Sequence, residues 1–408
     1  MSTLTNSTFP TALIAAFEQT GKISGFGSES LKKLEATGLP GKKNEEYRFT
    51  PATTALEKVL ASDFVINSGC APQEAELNLA NAFSIQIRNG KFEDVPKPSE
   101  GLEISQTEIE NQKDPFGMLN EVFRGQCFTL TVTKTGAPAI HIHHQSDANE
   151  INSLSFPAVA ININPGVECT IIETFSHRGN GQHFSSPVLD IQVGEKSVCH
   201  YLRLQNCSGN WSQVYNSKIS QKKESIVHAF VLTTDGNIVR NNFTLEINGE
   251  GAEGNLMGLY LLNGKTLADN HTVVDHRVPN ANSNELFKGV MQGHSKGVFN
   301  GKIFVQQDAQ KTNAFQSNRN IILSESASVN TKPQLEIWAD DVKCSHGCTT
   351  GQLDEEALFY LQSRGIDKAS AQSMLLHAFA GEVTEKIQIE SIRESISKMV
   401  QEKISSLK

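Results

Sequence analysis

The sequence predicts a mainly β protein whose centre is a parallel β-helix, or β-solenoid, with mixed α/β structure before it and helices after it. The first indication is a repeat of four isoleucines spaced 28 residues apart, at Ile163, Ile191, Ile219 and Ile247. A second apolar stretch follows each of them about eight residues later. Periods of about 20–50 residues are typical of solenoids and propellers, but a propeller blade needs about 40–45 residues. Stacked coils are therefore favoured, and we expect roughly eight of them.

The first region of the chain, 1–137, is predicted to be a mixed helical domain with short strands and loops. The spacing of apolar residues predicts short helices at 11–19, 28–36 and 55–63. Glycine and proline at 38–41 end the second of these. Alternating apolar residues predict strands at 83–87 and 128–132.

The second region, 138–352, is the predicted β-helix domain, and the third, 353–408, is predicted to be helical. Val, Ile, Phe and Thr alternate with polar residues in the second region and are interrupted by Gly, Asn and Asp. Its later strands are expected at 286–291, 298–305, 320–323 and 334–338. In the third region Asp354 and Asp367 are candidate N-caps, and Gly365 ends the first helix.

Composition excludes several classes of protein. Of the 408 residues, 38% are hydrophobic and 30 are glycine, so the chain is not mainly disordered. The net charge is −9 with both signs well mixed, which argues against a nucleic-acid surface. No stretch approaches the ~18 consecutive apolar residues of a membrane span. The N-terminus lacks a secretory signal and the seven cysteines are scattered, so we expect a reduced, cytoplasmic protein.

The densest group of reactive side chains lies at 340–348, which reads DDVKCSHGC. In a strand, Cys344, His346 and Cys348 would share one face because side chains alternate. Thiolate and imidazole are ligands for iron, zinc or an Fe–S cluster. The alternative is two buried cysteines beside a hydrogen-bonded histidine. Three such ligands are too few to hold a cluster alone, so a metal-handling site would be completed by another subunit.

Other clusters are weaker candidates. His141, His143 and His144 have no adjacent carboxylate or cysteine, and a structural start of the β-helix is favoured for them. His271 and His276 lie near acidic residues, where a solvated loop is expected rather than a cation site. The segment 258–266 imitates a phosphate-binding loop but has five residues where that motif needs four. It is predicted to be a strand and an Asn-Gly turn, so we expect no nucleotide site in this chain.

The segment 331–347, TKPQLEIWADDVKCSHG, resembles the signature of the SufB/SufD family of Fe–S cluster assembly proteins. Segments at 287–290 and 298–301, and C-terminal segments at 359–366 and 378–383, are also similar to the family. So is the stretch 38–50, which reads GLPGKKNEEYRFT and has Tyr47 where Trp is common. The resemblance spans most of the chain, and its KCSHG string is similar to the SufD branch rather than the SufB branch.

The resemblance implies a right-handed parallel β-helix that acts as a non-catalytic scaffold subunit. It implies pairing with a SufB-like paralogue and docking of a SufC-like ATPase on the C-terminal helices, for which Leu375, Phe379 and Val383 are the candidate contacts. His346 would be the SufD-side ligand, with Cys344 beside it, for a transient Fe–S cluster or iron at the subunit interface. Cys348 departs from the family pattern, which has a small residue there, and is either an extra ligand or a small buried side chain.

Two alternatives remain open. The first is a SufB-like scaffold that works as a homodimer and binds a cluster without a different partner. The second is a carbohydrate-active β-helix enzyme, which would need paired carboxylates, or acids and arginines, in one groove. No predicted coil presents such a group on one face, so this class is disfavoured.

Overall fold

The fold is taken from a computed structural model, which describes residues 13, 15, 25–75, 77, 81–93, 95–110 and 112–407. The helix predicted at 11–19 lies outside the described residues except for Leu13 and Ala15, which are both helical. The protein is mainly β, and its centre is the β-solenoid that the repeat predicted.

The solenoid is built from two facing parallel sheets, and each coil adds one strand to each sheet. In chain order the strands are β1 (Phe64–Ile66), β2 (Phe83–Arg88), β3 (Lys91–Glu93), β4 (Leu102–Gln106), β5 (Cys127–Val132), β6 (Ile140–Asp147), β7 (Asn152–Ser155), β8 (Ala158–Ile163), β9 (Glu168–Arg178), β10 (His183–Ser185), β11 (Val188–Val193), β12 (Val198–Asn206), β13 (Trp211–Gln221), β14 (Ile226–Asp235), β15 (Ile238–Ile247), β16 (Glu253–Leu262), β17 (Leu267–His276), β18 (Asn282–Met291), β19 (Lys296–Val305), β20 (Thr312–Ile322), β21 (Ser328–Ile337) and β22 (Val342–Gly351).

One sheet runs β21-β19-β17-β15-β13-β11-β8-β5-β4 and the other runs β22-β20-β18-β16-β14-β12-β9-β6-β2-β3. Alternate residues of each strand point into the coil, where their apolar side chains stack into one continuous core. The result is about eight turns, as expected. The solenoid begins with two antiparallel pairs, β2 with β3 and β4 with β5. It ends with β21 and β22, each of which pairs with a neighbouring strand on one side only.

The constant 28-residue period that the isoleucines suggested is wrong for most coils. Ile191 does pair with Ile219, 28 residues away, but its partner on the other side is Ile161 rather than Ile163. Ile219 in turn pairs with Leu245 rather than Ile247. The strands keep their register because inward rows must align to exclude water, and the turns between them absorb the changes in coil length.

Six α-helices whose bounds lie within the described residues flank the solenoid: α1 (Gly25–Thr37), α2 (Ala52–Leu60), α3 (Pro115–Phe123), α4 (Glu355–Ser363), α5 (Lys368–Thr384) and α6 (Glu390–Ser406). Helices α1 and α2 agree with the predicted stretches 28–36 and 55–63, and α4 to α6 lie in the region predicted to be helical. Helix α3 was not predicted, although Asp114 caps its first turn and Pro115 occupies the first helical position. Among the described helices, none combines the length and apolar character that crossing a bilayer requires.

Charged groups at the turn Glu45–Tyr47 attach the N-terminal helices to the solenoid. The guanidinium of Arg240 lies 3.8 Å from the centre of the Tyr47 ring and donates to Asp269 at 2.8 Å. The ring of His271 lies between two carboxylates, 3.3 Å from Glu46 and 3.0 Å from Asp269. The 38–50 segment therefore has a structural use, which is to hold the first region against β15 and β17.

The expected solvated loop around His271 and His276 is wrong, because both residues belong to strand β17. His276 points into the core, is fully buried and shares a hydrogen bond with Ser283. The pattern was mistaken for a turn because side chains on this strand alternate between two buried environments. His276 faces the core, whereas Asp269 and His271 face the contact with the N-terminal region.

We expect the free energy of unfolding to fall as the pH is lowered from about 6.5 to about 4. Burial lowers the pKa of His141, His143, His177 and His276 from 6.5 to about 4. Between these values the unfolded chain binds more protons, so stability is complete above pH 6.5 and declines as the pH falls. Each histidine adds at most about 1.4 kcal/mol per pH unit to the slope. Urea unfolding at several pH values from 7.5 to 4.5 measures this slope. The slope is expected to be smaller in the His276→Gln variant. A protein that is equally stable at pH 7 and pH 5 would contradict the expectation.

Candidate functional site

The predicted ligand cluster lies on β22, the final strand of the solenoid. In the register with β20, Cys344 pairs with Ala314, His346 with Gln316 and Cys348 with Asn318. The prediction that the cluster forms one face of a strand is therefore confirmed. This face is directed to the inside of the last coil, where no further coil covers it in the described chain.

Exposure increases along this face of β22. Cys344 is half-buried and packs against the end of the core, whereas His346 and Cys348 are exposed. Burial raises the pKa of the Cys344 thiol, so a metal ion must displace a proton to bind it. His346 presents its imidazole to solvent. Within the residues that the structure describes, no three His, Cys, Asp or Glu groups are placed to hold a metal ion together.

The open end of the solenoid also exposes apolar side chains and backbone. Both β21 and β22 are edge strands, so one row of N–H and C=O groups in each lacks a strand partner within the described chain. Phe315, Ile337 and Trp338 are 44%, 39% and 52% exposed near this end. Apolar patches beside unpaired edges are typical of surfaces that another protein covers.

Two buried polar residues behind His346 were not found from the sequence. Glu285 and Gln316 point inward on β18 and β20, and the Gln316 amide donates to the Glu285 carboxylate at 2.6 Å. Burial raises the pKa of Glu285 to about 7. The signal that could have found them is a polar residue at one inward position in each of the two coils next to the ligand strand, among apolar neighbours such as Phe287 and Ala314. A separate cavity of about 560 Å³ lies on the outer face of the same strands, where Met257, Leu286 and Lys386 are among its lining residues.

The three predicted docking residues differ in exposure. Val383 is completely buried in the apolar cluster between the C-terminal helices and the ten-stranded sheet, so its side chain is not available to a partner. Leu375 and Phe379 are half-buried. The exposed apolar residues of these helices are instead Phe359, Tyr360 and Met374, at 73%, 57% and 50%.

A buried lysine joins the C-terminal helices to the solenoid. The ammonium of Lys288, on β18, donates to the Phe379 carbonyl at 2.9 Å and lies 2.7 Å from the Glu382 carboxylate. It also lies 4.3 Å from the centre of the Phe379 ring. Burial lowers the pKa of Lys288, while Glu382 opposes that effect. Strand β18 is thus fixed to helix α5, three residues along the strand from Glu285.

The remaining candidates have structural explanations. His141, His143 and His144 lie on β6, as expected for the start of the solenoid, and His144 contacts the buried Glu173 at 3.0 Å. The phosphate-loop imitation at 258–266 is the end of β16 followed by a turn, in which Gly264 has a φ of 62°. These findings agree with the sequence analysis.

The fold and the site define a class of protein: a parallel β-solenoid scaffold that presents thiol and imidazole groups on its uncovered last coil. Residues 143–379 match the family described as SUF system FeS cluster assembly, SufBD core domain. The chain belongs to this SufB/SufD family, and it is SufD-like.

Individual relatives agree with this assignment. The chain is similar to iron–sulfur cluster assembly protein SufD of Escherichia coli, with 31% identity over 402 residues that cover 93% of each chain. It is 35% identical over 218 residues to an iron–sulfur cluster assembly SufBD family protein of Synechocystis, covering 53% of this chain and 48% of the relative. It is 25% identical over 274 residues to SufD of Bacillus subtilis, covering 66% and 61%.

Proposed function

We propose that this chain is the SufD-like, non-catalytic subunit of a SufBCD-type scaffold in the cytoplasm, and that it contributes a ligand to an Fe–S cluster shared with a SufB-like paralogue. The observation that carries the proposal is the exposed imidazole of His346 on the uncovered last strand, beside the half-buried Cys344. The cluster is cargo rather than a resident cofactor.

A shared site follows from the number of ligands. Cys344, His346 and Cys348 supply three soft or borderline ligands at most, and clusters are held by about four. The remaining ligands would come from the partner, which would also cover the exposed edge strands and Trp338. A site divided between two subunits can be weakened by a small relative movement, which suits a scaffold that must release its cargo.

The ATPase would dock on the C-terminal helices through the exposed residues Phe359, Tyr360 and Met374. Because Lys288 fixes α5 to β18, a movement imposed on the helices would be transmitted to the coils next to the ligand strand. The two sites are coupled if ATPase binding at the helices changes the affinity of the ligand strand for the cluster.

Phe359→Glu is expected to weaken ATPase binding at least about tenfold without unfolding the chain, because it places a charge in an apolar contact. The side chain is 73% exposed, so the isolated protein loses little packing. Titration calorimetry with the SufC-like ATPase measures the affinity. The matched control is Phe49→Glu, an exposed phenylalanine in the first region. Equal affinity for both variants would remove α4 from the docking surface.

The proposal as a whole is tested by co-purification from cells that express the chain from its natural locus with a small affinity tag. We expect a SufB-like and a SufC-like chain to co-purify, and the complex to carry iron and acid-labile sulfide after anaerobic reconstitution. The chain alone should hold little or none. A stable cluster on the isolated homodimer would support the SufB-like alternative instead.

A further inference from the structure

The imidazole of His346 has no hydrogen-bond partner among the described residues, yet a histidine that binds a metal almost always needs one. One ring nitrogen coordinates and the other donates its N–H to an oxygen that fixes the ring and its tautomer. The structure places a candidate acceptor in the adjacent coil. Gln316 is the residue in register with His346 on the neighbouring strand, so the two inward-pointing side chains are stacked in adjacent coils.

The amide of Gln316 has one free acceptor. Its Nε2 donates to Glu285 at 2.6 Å, and its Oε1 is buried without a hydrogen-bond partner. A buried carbonyl oxygen without a donor is costly, at about 1–3 kcal/mol, so its presence beside an unpartnered imidazole calls for an explanation. A donor from His346 would satisfy both groups at once.

The opposite sheet leaves space for this amide. A Cβ atom on Gly301, in β19, would lie 2.3 Å from the Gln316 Nε2. Only glycine therefore fits at that position while the amide keeps its place. Glu285 holds the amide from the inner coil, and the absent side chain of Gly301 makes room for it.

We propose that Gln316 is the positioning residue for His346: its Oε1 accepts the imidazole N–H while the other ring nitrogen binds iron of the cargo, and Glu285 fixes the amide in that orientation. The three residues form a row across three successive coils, carboxylate to amide to imidazole. This proposal rests on the proposed function of His346. The row restricts the ring to one tautomer and makes its free nitrogen a better donor to iron.

The test uses the complex of this chain with its SufB-like and SufC-like partners, reconstituted anaerobically with ferrous iron and sulfide. Gln316→Met keeps the side-chain length and removes the acceptor. We expect the cluster to form but to lose iron to a ferrous chelator about tenfold faster or more. The ¹⁴N hyperfine coupling of the coordinated imidazole, measured by pulsed EPR on the reduced cluster, is also expected to change. A purely structural role for Gln316 would leave that coupling unaltered.

The matched control is Gln221→Met, which removes another fully buried glutamine whose Oε1 has no partner but which lies in β13, away from the ligand strand. It should retain the wild-type chelation rate and coupling. Gly301→Ala is a second variant that keeps Gln316 but displaces its amide, and it should accelerate iron loss in the same direction. The added Cβ would also meet the Phe299 ring, at 2.7 Å, so the variant is used only if its complex assembles.

Two results would overturn the proposal: unchanged chelation rate and coupling in a folded Gln316→Met complex, or the same changes in Gln221→Met. If Gln316→Met does not assemble, an unchanged Gly301→Ala complex overturns it equally. A failure of the underlying function is distinguishable, because His346→Ala would then leave cluster content at the wild-type level. Loss of the cluster in His346→Ala with no effect of Gln316→Met refutes the positioning role alone.

Discussion

His346→Ala is expected to reduce the Fe–S cluster content of the reconstituted complex to near background, while the complex still assembles. The imidazole is exposed and makes no contact that the fold needs, so its removal deletes a ligand without opening a cavity. Iron and acid-labile sulfide per complex, and the activity of a client Fe–S enzyme in cells that carry only the variant, measure the effect.

The matched control is His294→Ala, which removes an exposed histidine from the turn between β18 and β19. It should behave as the wild type in both measurements. Cys344→Ser is a useful companion, since it separates the half-buried thiol from the imidazole. Normal client maturation in His346→Ala cells would withdraw His346 from the site.

Glu173→Ala is expected to destabilise the protein by roughly 3–5 kcal/mol, because it leaves a buried guanidinium without its counter-charge. The Glu173 carboxylate is fully buried, accepts from Tyr215 at 2.6 Å and from Tyr201, and lies 3.3 Å from Arg203. Burial alone would raise its pKa, but the hydrogen bond from His144 and the charge of Arg203 hold it at about 2. Urea unfolding at pH 7.5 measures the change.

The control for this prediction is Glu168→Ala on the same strand, whose exposed side chain lies 3.2 Å from His200. It should change the free energy of unfolding by less than about 1 kcal/mol. A double variant, Glu173→Leu with Arg203→Met, should recover much of the stability, since apolar residues of similar volume replace a buried pair at little cost. A Glu173→Ala protein as stable as the Glu168→Ala protein would show that water reaches Arg203.

The coil architecture could be predicted from the sequence, but its coil lengths could not. Inward apolar rows produce a visible period, and Ile191 and Ile219 do stack. Ile247 did not fit the period, because turns gain or lose residues without affecting the core. Asp114 and Pro115 match the preferences for the start of a helix and could have predicted α3. The helix has only nine residues, however, which is too short for its apolar residues to show a clear helical period.

The candidate ligands could be predicted for a similar reason, since alternation along one strand is enough to place Cys344, His346 and Cys348 on one face. Gln316 and Glu285 could not, because their relation to His346 depends on the stacking of different coils, 30 and 61 residues away in the chain. The burial of Val383 was also hidden, since an amphipathic helix does not show which of its apolar residues meets the sheet.

The uncovered strands β21 and β22 have a consequence for how cells must produce this protein. A copy whose edge strands are uncovered offers unpaired N–H and C=O groups to any extended polypeptide, including newly made copies of the same chain. Synthesis of the chain in excess would therefore increase its tendency to aggregate. If a SufB-like chain covers these edges, as proposed, cells need the two chains in balanced amounts.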